Sequence, residues 1–153
     1  MQNVLLCFSW GHQYPRPGLS NEVMAREIIK IKDKYSFILT QREISDALKN
    51  FGLKPDYIIG NSGVYLNSYE VAKDMKDWLA KNTTKDVGLY VLCHNTHWSG
   101  LQLVFKKLKM KAKRVEVIIP YDPSSHQWYT RGPVRALIGK LFHVFSYFLR
   151  GEI

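Results

Sequence analysis

The sequence predicts a three-layer α/β domain with a mainly parallel sheet of about five strands. Short apolar runs alternate with stretches of helical period along the whole chain, which is typical of strands joined by helices that cover both faces of a sheet. The chain has 153 residues, of which 46% are hydrophobic and 23% are charged. This size and composition favour a single domain over residues 1–153, and they exclude disordered, collagen-like and coiled-coil proteins.

The individual elements follow from hydrophobic spacing and from turn residues. Two prolines and two glycines in the segment GHQYPRPG interrupt regular structure after the first apolar run, and Ser20 is placed to cap the next helix. Gly52 is placed to end the second helix, and Pro133 suits the first position of the last one. The predicted strands are 3–10, 36–40, 56–60, 87–93 and 114–121, and the predicted helices are 21–32, 41–50, 68–81, a segment ending at 110, and 133–148.

Cysteine placement and the lack of a membrane span bear on where the protein works. Cys7 and Cys93 lie inside apolar runs, so we expect them in the core and not in a disulfide. No run reaches the ~20 apolar residues that a membrane-spanning helix needs. The amino terminus reads as a first strand because it lacks a basic leader. We therefore expect a cytoplasmic protein without a transmembrane segment.

Polar residues cluster where the predicted strands end. Because parallel sheets bind ligands in the crevice at the carboxyl ends of their strands, these residues are candidates for a site. Helix amino termini after strands one and four would present free N–H groups there, which favours an anionic ligand. The candidates are Trp10, Gly11 and His12 after strand one, Thr40 and Gln41 after strand two, Asn61 and Ser62 after strand three, His94, Asn95 and His97 after strand four, and Asp122 and His126 after strand five.

The spacing H-x-x-H at His94 and His97 also matches part of a metal site. A third ligand would come from His12, His126, Asp122 or Glu70, and the spacing selects none of them. A single imidazole can instead act as a general acid or base, or bind a phosphate or ribose, because it titrates near neutral pH. Neither G-x-G-x-x-G nor G-x-x-x-x-G-K-[ST] is present, so the sequence specifies no cofactor.

Two further segments indicate larger partners. Lys and Arg number 22 against 13 Asp and Glu, a formal net charge of +9, and the run FKKLKMKAKR concentrates this charge at 105–114. Such a run is typical of a solvated helix end, with nucleic-acid contact as the alternative. The last helix is more apolar than one sheet-facing stripe requires, which burial, a homo-oligomer contact or docking on a membrane surface would explain.

Two segments carry a family resemblance. In FGLKPDYIIGNSGVYLNSYEVAKDM a short strand leads to a helix start with Ser68 and Glu70, and in VLCHNTHWSGLQLVFKKLKM a strand leads to His97. This order is similar to the YdcF-like family of bacterial proteins, to which the ElyC and SanA envelope proteins belong. There T-x-E-N opens the helix, and T-S-x-x-H ends the strand. The resemblance covers about residues 40–121. It implies a Rossmann-like sheet, a nucleotide-like or other anionic ligand and a link to cell-envelope biology.

These observations predict a small-molecule binding protein with a transferase-like role toward an anionic, nucleotide-like ligand. His97 would donate a hydrogen bond or act as acid or base, and Glu70 would hold a hydroxyl group or orient His97. The other ligand-binding candidates are Gly11, His12, Ser68, His94, Asn95 and Asp122. A metal-assisted hydrolase that uses His94 and His97, and a noncatalytic nucleic-acid-binding or scaffold domain, stay open as alternatives.

Overall fold

The computed structural model describes residues 2–60, 66–84 and 86–153. The strands in these residues are β1 (Gln2–Cys7), β2 (Phe37–Gln41), β3 (Tyr57–Ile59), β4 (Val87–Leu92) and β5 (Ala112–Arg114). They pair in parallel in the order β3-β2-β1-β4-β5. The predicted α/β class is confirmed. With β2 and β3 on one side of β1 and β4 and β5 on the other, the sheet is Rossmann-like.

The helices alternate with the strands along the chain. They are α1 (Leu19–Ile31), α2 (Arg42–Leu48), α3 (Ser68–Asn82), α4 (Asn95–Lys107) and α5 (Pro133–Leu149), with short 3₁₀ turns at Lys32–Lys34, Lys49–Phe51 and Trp128–Thr130. Each α-helix lies within a few residues of its predicted position. Among the described residues, none of the helices has the length and hydropathy to cross a bilayer.

Alternating side chains along β1 build a hydrophobic core on each face of the sheet. Leu5 packs in the core beneath α1 and α2, whereas Val4 and Leu6 pack in the core beneath α3 and α4. Helix α5 contacts both cores, because its Ala136 belongs to the first and its Tyr147 to the second. Helix α5 therefore crosses an edge of the sheet from one helical layer to the other.

The prediction of a strand at 114–121 is wrong. Strand β5 comes earlier, at Ala112–Arg114, and the last ladder bond runs from the Val115 N–H to the Val91 carbonyl at 2.8 Å. Beyond it the chain leaves the sheet, although Ile119 is still buried. The β-branched residues that predicted the strand indicate a segment that is partly buried. Here that segment packs against the core without pairing with another strand.

The carboxylate of Asp122 joins two distant segments of the chain. It is 1% exposed and accepts hydrogen bonds from the Gln13 side chain at 2.9 and 3.1 Å, the Leu19 N–H at 2.9 Å and the Ser124 N–H at 3.0 Å. Because Leu19 is the first residue of α1, Asp122 supplies the cap that was predicted for Ser20. The Ser20 hydroxyl instead donates to the Pro120 carbonyl at 2.8 Å.

We expect Asp122→Ala to lower the free energy of unfolding by about 3 kcal/mol, because it leaves buried donors without their charged acceptor. Urea unfolding monitored by circular dichroism measures the change. The matched control is Asp33→Ala, whose side chain is 87% exposed and contacts the neighbouring Lys32. This control should change the free energy by less than about 0.5 kcal/mol. Equal urea midpoints for the two variants would contradict the role given to Asp122.

Candidate functional site

A cavity of about 250 Å³ opens where β1, β2, β3 and β4 end and α5 crosses the sheet. Strand β1 lies between β2 and β4, so this is the point at which successive units are added to opposite sides of the sheet. Ligands of open parallel sheets bind at such a point. The residues that line the cavity include Trp10, His12, Arg16, Gln41, Arg42, Glu43, Asp46, Gly60, Ser68, Thr96, His97, Tyr129, Lys140, His143 and Tyr147.

A serine and a histidine meet inside the cavity. Ser68 is the first residue of α3 and His97 lies in the first turn of α4, and their Oγ and Nε2 atoms share a hydrogen bond of 2.7 Å. The Ser68 N–H donates to the Tyr147 hydroxyl at 3.2 Å, which links the pair to α5. The structure thus places Ser68 and His97, both predicted site residues, in direct contact across two helix amino termini.

Burial keeps the His97 imidazole neutral. Burial, followed by the neighbouring imidazoles of His143 and His94, lowers the pKa of His97 to about 3. The ring contacts Phe8 edge-on at 6.0 Å and Trp10 at 5.4 Å, measured between ring centroids. Its Nδ1 atom is buried and has no hydrogen-bond partner among the residues that the structure describes. At neutral pH the ring is therefore a hydrogen-bonding group and not a cation.

His94 lies behind the cavity wall. Its ring stacks on Trp10 with centroids 4.6 Å apart and planes inclined by 7°, and it contacts Tyr121 at 4.5 Å. Its Nδ1 atom accepts the Thr96 N–H at 3.2 Å and so caps α4. Burial, followed by the charge of Arg114, lowers its pKa to about 4. His94 therefore supports Trp10 and does not line the cavity.

The geometry gives no support to a metal site at His94 and His97. The Nε2 atom of His97 bonds to Ser68 and the Nδ1 atom of His94 accepts a backbone N–H, so one nitrogen of each ring is already occupied. In residues 2–60, 66–84 and 86–153, no group of three or more His, Cys, Asp or Glu side chains is placed to hold a metal ion. The two histidines of the H-x-x-H pair have other contacts instead: His94 stacks on Trp10 and caps α4, and His97 bonds to Ser68.

Glu70 does not contact His97. Its carboxylate accepts the Asn67 N–H at 2.8 Å, while the Asn67 side chain accepts the Glu70 N–H at 3.0 Å. This reciprocal pair is a capping box at the start of α3, and Glu70 is exposed and absent from the cavity wall. The predicted partner of His97 is thus a capping residue, because a side chain at the third helical position reaches back toward the cap.

Three other candidates also hold the framework and do not line the cavity. Gly11 has φ +72°, and a Cβ atom there would lie 2.6 Å from the Ser125 hydroxyl. Asn95 accepts a hydrogen bond from the Arg114 guanidinium. The Asp122 carboxylate accepts hydrogen bonds from the Gln13 side chain and the Leu19 N–H. His12 does line the cavity. Asn61 and Ser62 lie outside the described residues.

The helix amino termini after β1 and β4 are already capped by side chains. Asp122 accepts the first N–H of α1, and His94 accepts the Thr96 N–H of α4. At these two positions a side chain of the protein itself therefore accepts an N–H that was predicted to be free for an anion. Side chains are the other source of positive potential for a ligand.

Cationic side chains that the sequence reasoning did not select supply that potential. Arg42, the first residue of α2, forms no ion pair with any described residue, and its Nε atom is buried without a hydrogen-bond partner among them. Arg16 and Lys140 also line the cavity. Among the described residues of the cavity wall, these three cationic side chains outnumber the two acids, Glu43 and Asp46, and Asp46 contacts Lys49 at 2.6 Å.

The polar lining on α5 carried a signal in the sequence. Lys140, His143 and Tyr147 recur at intervals of three and four residues on a helix that is mostly apolar. This spacing predicts a polar stripe on one face, and the structure turns that stripe toward the cavity.

Compared with family models, with curated proteins and with solved structures, the chain has no match.

The pKa of His97 is lower in the folded protein than the unfolded value of 6.5. As the pH falls, the ring is therefore protonated in the unfolded chain before it is protonated in the folded protein. The free energy of unfolding should therefore fall as the pH drops from 6.5 toward 3. We expect His97→Gln to remove up to about 2 kcal/mol of the loss between pH 7 and about pH 4.5. Urea unfolding of both proteins at each pH measures it.

Contributions from carboxylates are common to the parent and the variant, so the difference between their pH profiles isolates the imidazole. At pH 8 neither folded nor unfolded His97 is protonated, and the comparison there gives the pH-independent cost of the substitution. Parallel profiles from pH 8 to about pH 4.5 would show that His97 titrates alike in both states and would contradict its buried, neutral form.

Proposed function

We propose that this protein binds a small anionic, nucleotide-like ligand in the cavity at the carboxyl edge of the sheet. The observation that carries the proposal is the placement of Arg42, without an ion-pair partner among the described residues, in the same cavity as the hydrogen-bonded pair of Ser68 and His97. A concave site with a few convergent polar groups at the switch point of a parallel sheet is the usual location for such a ligand.

The anionic group of the ligand would bind Arg42. A guanidinium donates two parallel hydrogen bonds to a phosphate or carboxylate, and Arg16 and Lys140 add positive charge around the same space. The partial burial of Arg42 strengthens this interaction, because screening by water is weaker there than on an open surface.

The remainder of the ligand would lie against aromatic side chains and the serine–histidine pair. Trp10, Tyr129 and Tyr147 line the cavity, and aromatic side chains pack favourably against flat ring systems. Ser68 and His97 offer a hydroxyl and a neutral imidazole, which suit a hydroxylated group such as ribose. Together the walls favour a ligand with a charged end, a hydroxylated middle and a flat end.

The state of His97 favours binding over nucleophilic catalysis by Ser68. A serine nucleophile needs a histidine that accepts its proton readily, and that histidine is normally oriented by an acidic group at its other nitrogen. Here the pKa of His97 is lowered to about 3, and its Nδ1 atom has no such partner among the described residues. His97 therefore positions the ligand through a hydrogen bond. A transferase-like step would have to use reactive groups of the ligand itself.

A thermal-shift series tests the proposal with AMP, ADP, ATP, NAD and ribose 5-phosphate as probes. We expect at least one phosphate-bearing probe to raise Tm, because a ligand that binds only the folded state stabilises it. Arg42→Gln should then weaken binding of that probe by about 10- to 100-fold, the value of one charge-assisted contact. Ser68→Ala should weaken it by about 5-fold, because a neutral hydrogen bond contributes less.

The matched control is Arg26→Gln, which removes the same charge from an exposed position of α1 outside the cavity. It should bind the probe with an affinity within about 2-fold of the parent protein, because distant surface charges are screened. Two results would overturn the proposal: no probe raises Tm, or Arg42→Gln and Arg26→Gln bind the probe equally well. Isothermal titration calorimetry gives the affinities.

A further inference from the structure

Helix α5 has one face turned to the protein and one face turned to solvent. On the inner face Ala136, Gly139 and Tyr147 are buried, and Gly139 packs so closely that a Cβ atom there would lie 2.4 Å from Tyr129. The opposite face carries a set of large apolar side chains that are between 42 and 71% exposed. These side chains, which we call the outer face of α5, are Val134, Leu137, Ile138, Leu141, Phe142, Phe145, Phe148 and Leu149.

The outer face is a continuous stripe. Its residues recur at intervals of three and four, so they cover one side of the helix for its whole length of about 25 Å. It continues onto α4, because Leu103, which is 41% exposed, shares a shallow groove with Leu141, Phe145 and Phe148. Such a large exposed apolar surface marks an interaction site and not a chance surface composition.

The charges around this surface are positive. Helix α5 contains no acidic residue, and Arg135 and Arg150 lie at the two ends of its outer face. On α4, Lys106 and Lys107 are exposed and follow Leu103 by three and four residues, so they lie on the same side of that helix. The basic run that the cavity does not use is therefore joined to the apolar stripe.

This combination discriminates between two occupants that could cover the face. A second copy of the chain would bring Arg135, Arg150 and the α4 lysines of two molecules, each with a formal net charge of +9, into proximity. An anionic bilayer surface instead complements both parts, because phenylalanine and leucine enter the acyl boundary while lysine and arginine contact the headgroups. Like-charge repulsion thus disfavours the dimer and leaves the bilayer.

We propose that the outer face of α5 docks this protein in the plane of an anionic membrane surface, with Lys106, Lys107 and Arg135 on the lipid headgroups. The inner side of the same helix carries Lys140, His143 and Tyr147 into the cavity. Docking would therefore place the cavity next to the bilayer. This inference is independent of which ligand the cavity binds, since it uses residues on the opposite side of α5.

Vesicle flotation of the full chain tests the docking. We expect the protein to float with phosphatidylcholine vesicles that contain phosphatidylglycerol and to bind pure phosphatidylcholine at least ~10-fold more weakly. Phe145→Glu should reduce binding to the anionic vesicles at least ~10-fold, because it places a charge in the acyl boundary. The matched control is Ile118→Glu, an equally drastic change at an 87% exposed position outside the outer face, which should bind like the parent.

A double variant, Lys106→Glu with Lys107→Glu, tests the electrostatic part separately and keeps the outer face of α5 intact. It should bind anionic vesicles at least ~10-fold more weakly, and added salt should weaken it less than the parent. Both lysines are exposed, so this variant folds even if Phe145→Glu does not, and circular dichroism checks the fold of each.

Sedimentation velocity tests whether a second copy of the chain, and not a bilayer, covers the outer face of α5. A parent protein that stays in the soluble fraction with anionic vesicles, sediments as a dimer and becomes monomeric on Phe145→Glu would overturn the proposal and assign the face to a second copy. Equal flotation of the parent, Phe145→Glu and the lysine double variant would overturn it as well. Anionic-lipid binding by the parent that both variants lose would support it.

Discussion

The buried carboxylate of Asp122 is the constraint on which the architecture of the site depends. It accepts hydrogen bonds from Gln13 in the loop after β1 and from the first N–H of α1, more than 100 residues away along the chain. It holds the segment that follows β5 against that loop, and the N–H of Asp122 donates to the carbonyl of Thr130, in the turn that precedes α5. A buried charge is tolerated there because each contact is a hydrogen bond to it.

Burial also explains the chemistry of the two histidines at the carboxyl end of β4. Both rings lie among aromatic side chains, and the cost of moving a charge out of water lowers the pKa of each well below its ordinary value. One ring then caps α4 and supports Trp10, and the other bonds to Ser68. The cavity therefore combines neutral hydrogen-bonding groups with cationic side chains, which is the electrostatic basis for an anionic ligand.

Helix α5 couples the two proposals through its geometry. Glycine at 139 lets the helix approach Tyr129 closely, which brings Lys140 and His143 over the cavity. The large exposed apolar residues of the helix lie on its other side. A helix that is apolar on most of its circumference needs a second apolar environment, and the surrounding lysines and arginines favour one with negative charge.

The sequence by itself determined the α/β class, the sequence positions of the helices and the edge at which polar residues gather, because side-chain periodicity and turn residues are local properties. It also placed Ser68, His97 and His12 at that edge. Only the tertiary structure decided that Glu70 caps α3, that Asp122 caps α1 from a distance and that Arg42 faces the cavity. These outcomes depend on which strands are neighbours and on the path of α5, and contacts between residues far apart in the chain leave no periodic signal.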